Sequence, residues 1–152
     1  MGFVTTNTSK YPPFLYSIGE DNHDSACFMA FMINAVASGW LRRGDFMVVD
    51  SAILHSGGSA DVLAEFLWHA PGLDGLALNI VVVPFPTRAP ELNPIEPCWN
   101  TFVKRLKMLK VRVLNRAGGA WALKEAACAV LNNFSHDDIK KNYINQGYYG
   151  KR

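Results

Sequence analysis

Two acidic residues in this chain stand where metal-binding carboxylates are expected, shortly after an apolar run. Asp50 directly follows the run Phe46–Val49, and Glu96 follows the run within Leu76–Val83 after a proline-rich segment. Carboxylate oxygens suit Mg²⁺ and Mn²⁺, and one or two of them with a substrate phosphate commonly hold such an ion. His55 could add an imidazole close to Asp50. A structural role for Asp50 stays open, because aspartate also caps turns and helix starts.

Glu96 has an equally simple structural explanation. Asn93 is a favourable N-cap residue, Pro94 fits the first helical position, and Glu96 then stands at the third. In a capping box, the carboxylate at this third position bonds back to the N–H of the cap residue. The spacing is therefore compatible with a helix cap and with a cation ligand, and both interpretations stay open.

A run of basic residues follows Glu96, and no acid occurs between Glu96 and Lys124. The members of this run are Lys104, Arg105, Lys107, Lys110, Arg112 and Arg116. The three lysines recur every three residues, so they lie near one side of a helix. Such a stripe could follow a phosphate backbone, although an ordinary solvated helix face would show the same pattern.

The apolar pattern predicts elements that could bring these residues together. Strands are predicted at Phe14–Ile18, at Phe46–Val49 with cover on both faces, and within Leu76–Val83. Helices are predicted at residues 25–41, 60–69, 93–112, 120–134 and 135–143, the last capped by Ser135. This alternation is typical of an α/β domain with a mostly parallel sheet. Ligands gather beyond the carboxyl ends of such strands, so Asp50 and Glu96 could converge there.

Composition narrows the class of protein. Hydrophobic residues make up 49% of the 152 residues, which excludes disorder of the whole chain and predicts one domain's worth of core. The longest apolar stretch, Ala26–Trp40, is shorter than the roughly 20 residues that a spanning helix needs, so no membrane partner is expected. The first residues contain no secretory signal, which favours an intracellular location, nuclear in a eukaryote. The three cysteines form no metal or redox pattern.

The net charge of +2 conceals an asymmetry along the chain. Residues 1–96 carry ten acids and four bases, whereas residues 97–152 carry three acids and eleven bases. This split suggests that the basic end of the chain binds phosphate and that the acidic end binds cations. Two solvated surfaces of different charge would also explain it.

Two segments together resemble a known family. Asp50–His55 (DSAILH) is similar to the D-N-A-x-x-H segment of the DDE transposases of the mariner-type superfamily. Leu92–Glu96 matches the L-N-P-I-E motif of that family letter for letter, and Trp99 and Lys107 stand where the motif continues. Each acid also follows a predicted strand, as in that family.

The resemblance implies an RNase H-like fold and a centre for metal-dependent DNA cleavage and strand transfer in transposition. It implies that Asp50 and Glu96 are catalytic ligands of Mg²⁺ or Mn²⁺, and it leaves the role of His55 open. It makes Asn93 and Trp99 motif residues and DNA the partner. Non-specific contacts to the DNA backbone are then predicted at Lys104, Arg105, Lys107 and Lys110.

The chain also departs from the family pattern. Ser51 replaces the usual Asn, and 45 residues separate Asp50 from Glu96, which predicts a loop insertion near Pro71–Leu78. Phe14–Ile18 best matches the third strand of that fold, so the first two strands and the first catalytic aspartate are expected to be missing. A two-cation site without one ligand has too few oxygens, so the isolated chain is expected to be a weak or inactive nuclease.

The expected fold is therefore a partial RNase H-like α/β domain with a mostly parallel sheet flanked by helices. Its expected parts are a loose lead-in at residues 1–13, the partial catalytic domain at 14–115 and a helical extension at 116–152. An unpaired sheet edge would favour a homodimer or a chain that supplies the missing strands. The alternative function is a non-catalytic, transposon-derived module that binds nucleic acid or dimerises.

Overall fold

The computed structural model describes residues 1–18, 25–49, 59–86, 92–114 and 119–147. Within these ranges the chain forms four short strands and five helices, which is a mixed α/β structure. The strands are β1 Gly2–Val4, β2 Phe14–Tyr16, β3 Phe46–Val49 and β4 Val81–Pro84. The helices are α1 Ser25–Ala37, α2 Ser59–His69, α3 Ile95–Leu114, α4 Gly119–Asn132 and α5 His136–Asn145. None of these helices is long and apolar enough to cross a membrane.

The contacts of the chain divide it into two compact units. The terminal unit comprises Met1–Ile18 and Pro90–Arg152, and the central unit comprises Gly19–Ala89. The terminal unit carries twelve Lys and Arg against five Asp and Glu, a formal charge of +7. The central unit carries three against eight, a formal charge of −5. The charge asymmetry of the sequence thus corresponds to two units of opposite sign, whereas the predicted domain boundaries stay predictions.

The terminal unit contains an antiparallel strand pair. β1 pairs with β2 in the register Gly2 opposite Tyr16 and Val4 opposite Phe14. The expectation of a loose lead-in is therefore wrong at Gly2–Val4. A Cβ atom at Gly2 would lie 3.2 Å from Trp99 Cζ2 and 3.3 Å from the Leu15 carbonyl oxygen, so the strand fits because this residue has no side chain. That fit depends on residues distant in sequence, which explains why the local pattern misses β1.

Phe14 is at the centre of the core of the terminal unit. Its side chain is fully buried, and its ring centroid lies 5.1 Å from that of Trp99 and 5.3 Å from that of Phe134. The Phe14 and Trp99 rings meet edge to face, at 72°, which is a favoured aromatic geometry. The other buried members of this core are Cys98, Val130, Leu131 and Ile139, which come from α3, α4 and α5.

The central unit contains the parallel pair of strands. β3 and β4 run side by side in the register Phe46 opposite Val81 and Val49 opposite Pro84. The strand at Phe46–Val49 is confirmed, but its predicted cover on both faces is wrong. Met47 and Val49 are buried, whereas Phe46 and Val48 are exposed. With one parallel and one antiparallel pair in the described ranges, a mostly parallel sheet is not confirmed.

β4 begins later than the apolar pattern predicts, because the residues before it form hydrogen bonds with the C-terminal end of α2. The N–H groups of Leu78, Asn79 and Ile80 donate to the carbonyls of Ala70, Trp68 and Leu67. These carbonyls belong to the last turn of α2 and the residue after it, which lack partners within the helix. Leu78 and Ile80 are buried there, so their apolar character reflects packing rather than strand pairing.

Candidate functional site

Helix α3 carries most of the predicted site residues, and Asn93 fixes its start. The Oδ1 atom of Asn93 accepts a hydrogen bond from the Ile95 N–H at 3.2 Å, and its carbonyl oxygen accepts one from the Glu96 N–H at 3.2 Å. Asn93 is 7% exposed, so water competes little for these bonds. The prediction of Asn93 as the N-cap residue is confirmed, with Pro94 in the first-turn position that suits a residue without an N–H.

Glu96 does not complete a capping box in the described part of the chain. Its side chain is exposed, and no described residue forms a hydrogen bond or an ion pair with its carboxylate. The contrast with α5 is direct, because there Ser135 Oγ accepts from the Asp138 N–H while the Asp138 carboxylate accepts from the Ser135 N–H. The cap of α3 is thus supplied by Asn93, and within the described ranges the Glu96 carboxylate has no partner.

Replacing Asn93 by Ala should lower the free energy of unfolding by about 1 kcal/mol, because the Ile95 N–H then loses its acceptor in a buried position. Replacing Asn93 by Ser should restore most of this loss, since a serine hydroxyl can accept the same bond. Urea unfolding of the wild type and of both variants measures the difference. An alanine variant as stable as the wild type would contradict the capping role of this side chain.

Glu96 shares one exposed face of α3 with Lys104 and Lys107. At 3.6 residues per turn, the residues 4, 7, 8 and 11 positions after Glu96 lie on its side of the helix. These residues are Asn100, Val103, Lys104 and Lys107, and each of them is exposed. The opposite face of α3 packs into the core of the terminal unit through Cys98, Phe102, Leu106 and Leu109. We call the first set, with Glu96, the Glu96 face.

Two predicted site residues on α3 have other surroundings. The Nη2 atom of Arg105 donates to Asp138 Oδ1 at 3.0 Å, and its guanidinium carbon lies 4.7 Å from the centroid of the Phe134 ring. Arg105 therefore joins α3 to α5 and lies outside the Glu96 face, and its predicted DNA contact stays a prediction. The side chain of Lys110 lies outside the described part of the structure.

Asp138 is a structural residue that the sequence pattern did not single out. Burial raises the pKa of its carboxyl group, but the hydrogen bonds from the Ser135 N–H, Arg105 and the Ser135 hydroxyl, together with the charge of Arg105, outweigh burial. The pKa of Asp138 is therefore lowered in the folded chain. The sequence signal for it was the spacing of Ser135 and Asp138, which is that of a capping box with Asp in place of Glu.

The lowered pKa of Asp138 predicts a stability difference that depends on pH. A carboxyl group with a depressed pKa stabilises the fold above its unfolded value of about 3.9, and this contribution is lost as pH falls through the folded pKa. Asp138→Asn should therefore reduce the free energy of unfolding by about 1 kcal/mol at neutral pH, since the ion pair with Arg105 is partly exposed. The difference from the wild type should shrink as the pH falls below about 4.

Urea unfolding at neutral and acidic pH tests this difference. Asp137→Asn is the matched control, because Asp137 is exposed in the same first turn of α5 and carries the same charge. A constant difference between Asp138→Asn and the wild type at all pH values would show that the ionised carboxylate does not contribute.

Trp99 and Cys98 anchor the beginning of α3 to the rest of the terminal unit. Trp99 packs edge to face against Phe14 and Phe102. The Cys98 thiol donates to the Pro94 carbonyl at 3.2 Å and accepts from Asn142 Nδ2 at 3.0 Å. Burial raises the pKa of Cys98 to about 11, so the thiol stays protonated. Both residues hold the helix turn that presents Glu96.

The predicted partner of Glu96 lies outside the described residues. Asp50 and His55 fall in the range 50–58, and Asp50 belongs to the central unit whereas Glu96 belongs to the terminal unit. Across the ranges that the structure does describe, no three His, Cys, Asp or Glu side chains come together as a metal site. The oxygen donors of Glu96 fit a hard cation such as Mg²⁺.

An exposed glutamate at the start of a basic helix, within a mixed α/β chain, defines a candidate site for a metal ion and a phosphate backbone. Residues 1–116 match the family model described as DDE superfamily endonuclease. The match covers about three quarters of the 152 residues, and the chain belongs to this family. Neither curated proteins nor solved structures gave a match.

Membership gives a coarse account of what the chain does. The family comprises endonucleases of the transposase type, which have an RNase H-like fold, act on DNA and generally use divalent metal ions. The described residues agree with this fold in being mixed α/β, although their sheets are short. The matched range includes Asp50 and Glu96 and all of the basic residues on α3.

Proposed function

We propose that this chain is a mariner-type DDE transposase domain, a family whose chemistry is the cleavage and joining of DNA with Mg²⁺ or Mn²⁺. The chain alone is a weak or inactive nuclease in this proposal, because the first catalytic aspartate is expected to be missing. The observation that supports the proposal is the exposed carboxylate of Glu96 at the N-terminal end of the Glu96 face. No described residue forms a hydrogen bond or an ion pair with this carboxylate. A capping role would occupy this carboxylate, whereas a metal ligand must be free to meet an ion. Asn93 supplies the cap, so among the described residues nothing occupies the Glu96 carboxylate.

The other residues then have distinct roles. Asp50 and Glu96 would hold the metal ions, which supply activation of the attacking oxygen and stabilisation of the leaving oxygen. Lys104 and Lys107 are exposed on the Glu96 face and would neutralise phosphates of the DNA backbone, which positions DNA without reading its sequence. Trp99 and Asn93 fix the turn that carries Glu96. Lys110 would extend the lysine series.

Arg105 has a different role in this proposal from the one that its sequence position suggests. Its charge is already paired with Asp138, and its guanidinium lies over the Phe134 ring. We propose that it stabilises the α3–α5 contact and leaves the DNA contacts to the lysines.

A Mn²⁺ titration followed by calorimetry tests the metal site. Saturable binding by the wild type should be lost or at least tenfold weaker in Asp50→Asn and in Glu96→Gln, because the loss of even an outer-shell partner of a metal ligand costs about 10–100-fold. Both substitutions remove a charge and keep the size of the side chain.

Glu65→Gln is the matched control for the titration, because Glu65 is an exposed carboxylate on α2 with the same chemistry. It should bind Mn²⁺ as the wild type does. Binding that is unchanged in both Asp50→Asn and Glu96→Gln would contradict the metal site and leave DNA binding without catalysis as the function to test.

A further inference from the structure

Asn100 stands on the Glu96 face without a structural reason to be asparagine. It lies one turn after Glu96 in the interior of α3, and it is exposed. Asparagine is among the less favourable residues for a helix interior, because its amide competes for backbone hydrogen bonds. No described residue forms a hydrogen bond with its side chain. Positions that break a local preference without a compensating contact are frequently functional.

The order of charges along the Glu96 face gives Asn100 a defined place. At 1.5 Å per residue, Asn100, Lys104 and Lys107 lie about 6, 12 and 16 Å beyond Glu96 along the helix axis. The polar side chains of this face are therefore, in order, a carboxylate, a neutral amide and two cations, with the apolar Val103 between the amide and the first cation. A strand of DNA laid along this face would have its reacting phosphate beside Glu96 and its next phosphates beside Asn100 and the lysines.

A neutral donor suits the position next to Glu96. An amide N–H can bond a phosphate oxygen, as asparagine side chains commonly do in protein–DNA interfaces. A lysine at this position would bind phosphate more strongly, but its positive charge about 6 Å from Glu96 would oppose a cation held there. An aspartate would repel the phosphate. Among these three side chains, the amide alone is compatible with both a cation at Glu96 and a phosphate beside it.

We propose that Asn100 is a phosphate-binding residue that holds the DNA backbone between the metal ligand Glu96 and the lysines of α3. The proposal rests on the proposed function and deepens it, because it orders the contacts of one DNA strand along the Glu96 face. Asn100 positions the strand and does not take part in bond cleavage.

The test measures the binding of a short fluorescein-labelled DNA duplex by anisotropy, without metal, over a series of salt concentrations. Asn100→Ala should weaken binding about tenfold, since it removes a hydrogen bond to a charged group. The dependence of binding on salt should stay unchanged, because no cation is lost. The melting temperature should be equal or higher, because alanine favours the helix. Weaker binding by an equally stable variant cannot come from misfolding.

Asn100→Lys supplies a second, opposite readout. It should tighten DNA binding and steepen the salt slope by about 0.9 for the added phosphate contact. It should also weaken Mn²⁺ binding by the free protein, because the new charge opposes the ion. Asn145→Ala and Asn145→Lys are the matched controls, since Asn145 is an exposed asparagine on α5. Both control variants should bind Mn²⁺ and the DNA duplex with about the affinity of the wild type.

The failures of the two proposals are distinguishable. Wild-type protein that binds the duplex, with Asn100→Ala binding equally well, would overturn the role of Asn100 and leave the proposed function intact. Wild-type protein that does not bind the duplex at low salt would overturn the proposed function and this inference with it.

Discussion

Replacing Phe14 by Ala should lower the free energy of unfolding by about 3–5 kcal/mol, which is the usual cost of deleting a buried aromatic ring. Phe14 is 0% exposed and lies in ring contact with both Trp99 and Phe134. Its loss leaves a cavity between β2, α3 and the end of α4, and two aromatic contacts disappear with it. Small domains are stable by only about 5–15 kcal/mol, so this single change removes a large share of the total. Urea unfolding followed by circular dichroism measures it.

Two further variants keep this prediction testable if the alanine variant does not fold. Phe14→Leu retains most of the buried volume and should cost less than about 1.5 kcal/mol. Trp121→Ala removes an aromatic side chain that is 71% exposed in the same unit, and it should change stability by no more than about 0.5 kcal/mol. If Phe14→Ala and Trp121→Ala had similar midpoints, Phe14 would not be the centre of this core.

The elements that the sequence predicted well are those with local signals. The cap at Asn93, the strand Phe46–Val49 and the helix after Ser135 each depend on residues within a few positions of one another. Strand β1 has no such signal, because its pairing partners are 10 to 14 residues away and its contact with Trp99 at Gly2 involves a residue far along the chain. The late start of β4 depends on the carbonyls at the end of α2, which no strand pattern reveals.

The same contrast between local signals and contacts distant in sequence applies to the candidate site. Types and spacing identified Glu96, Lys104 and Lys107, and helix geometry places these three residues on one exposed face. Spacing alone could not separate a capping role for Glu96 from a metal-binding role, because both place the residue in the first turn. The ion pair of Arg105 could not be predicted from the sequence either. Its partner Asp138 is 33 residues away and on another helix.

The convergence of Asp50 and Glu96 stays a prediction for a physical reason. Residue 50 follows β3 in the central unit, and residue 96 opens α3 in the terminal unit. Without an ion, two carboxylates brought together would repel each other. Cation binding that is lost in both Asp50→Asn and Glu96→Gln would therefore show that the two carboxylates lie close together.

Glu96→Gln should separate DNA binding from DNA cleavage. Any Mn²⁺-dependent nicking of supercoiled plasmid by the wild-type chain is expected to be weak, and Glu96→Gln should abolish it, because the substitution removes a metal ligand and with it the activation of the attacking oxygen. Affinity for duplex DNA without metal should be equal or higher, because a negative charge next to a phosphate is removed.

Replacing both Lys104 and Lys107 by Ala should weaken the binding of duplex DNA. It should also lower the salt slope of binding by about 1.8, because two phosphate contacts are lost.

Lys140→Ala with Lys141→Ala is the matched control for the lysine pair, because it removes the same charge from exposed positions on α5. If binding depended only on the net charge of the terminal unit, both pairs would weaken it equally, and the Glu96 face would not be the DNA interface. If Glu96→Gln nicked plasmid as well as the wild type, the cleaving site would lie elsewhere. Loss of cleavage with retained binding in one variant, and loss of binding in the other, would place both functions on the same face of α3. A single helix can serve both because its exposed side presents the carboxylate and the cations in succession, while its own Trp99 packs against Phe14 in the core of the terminal unit.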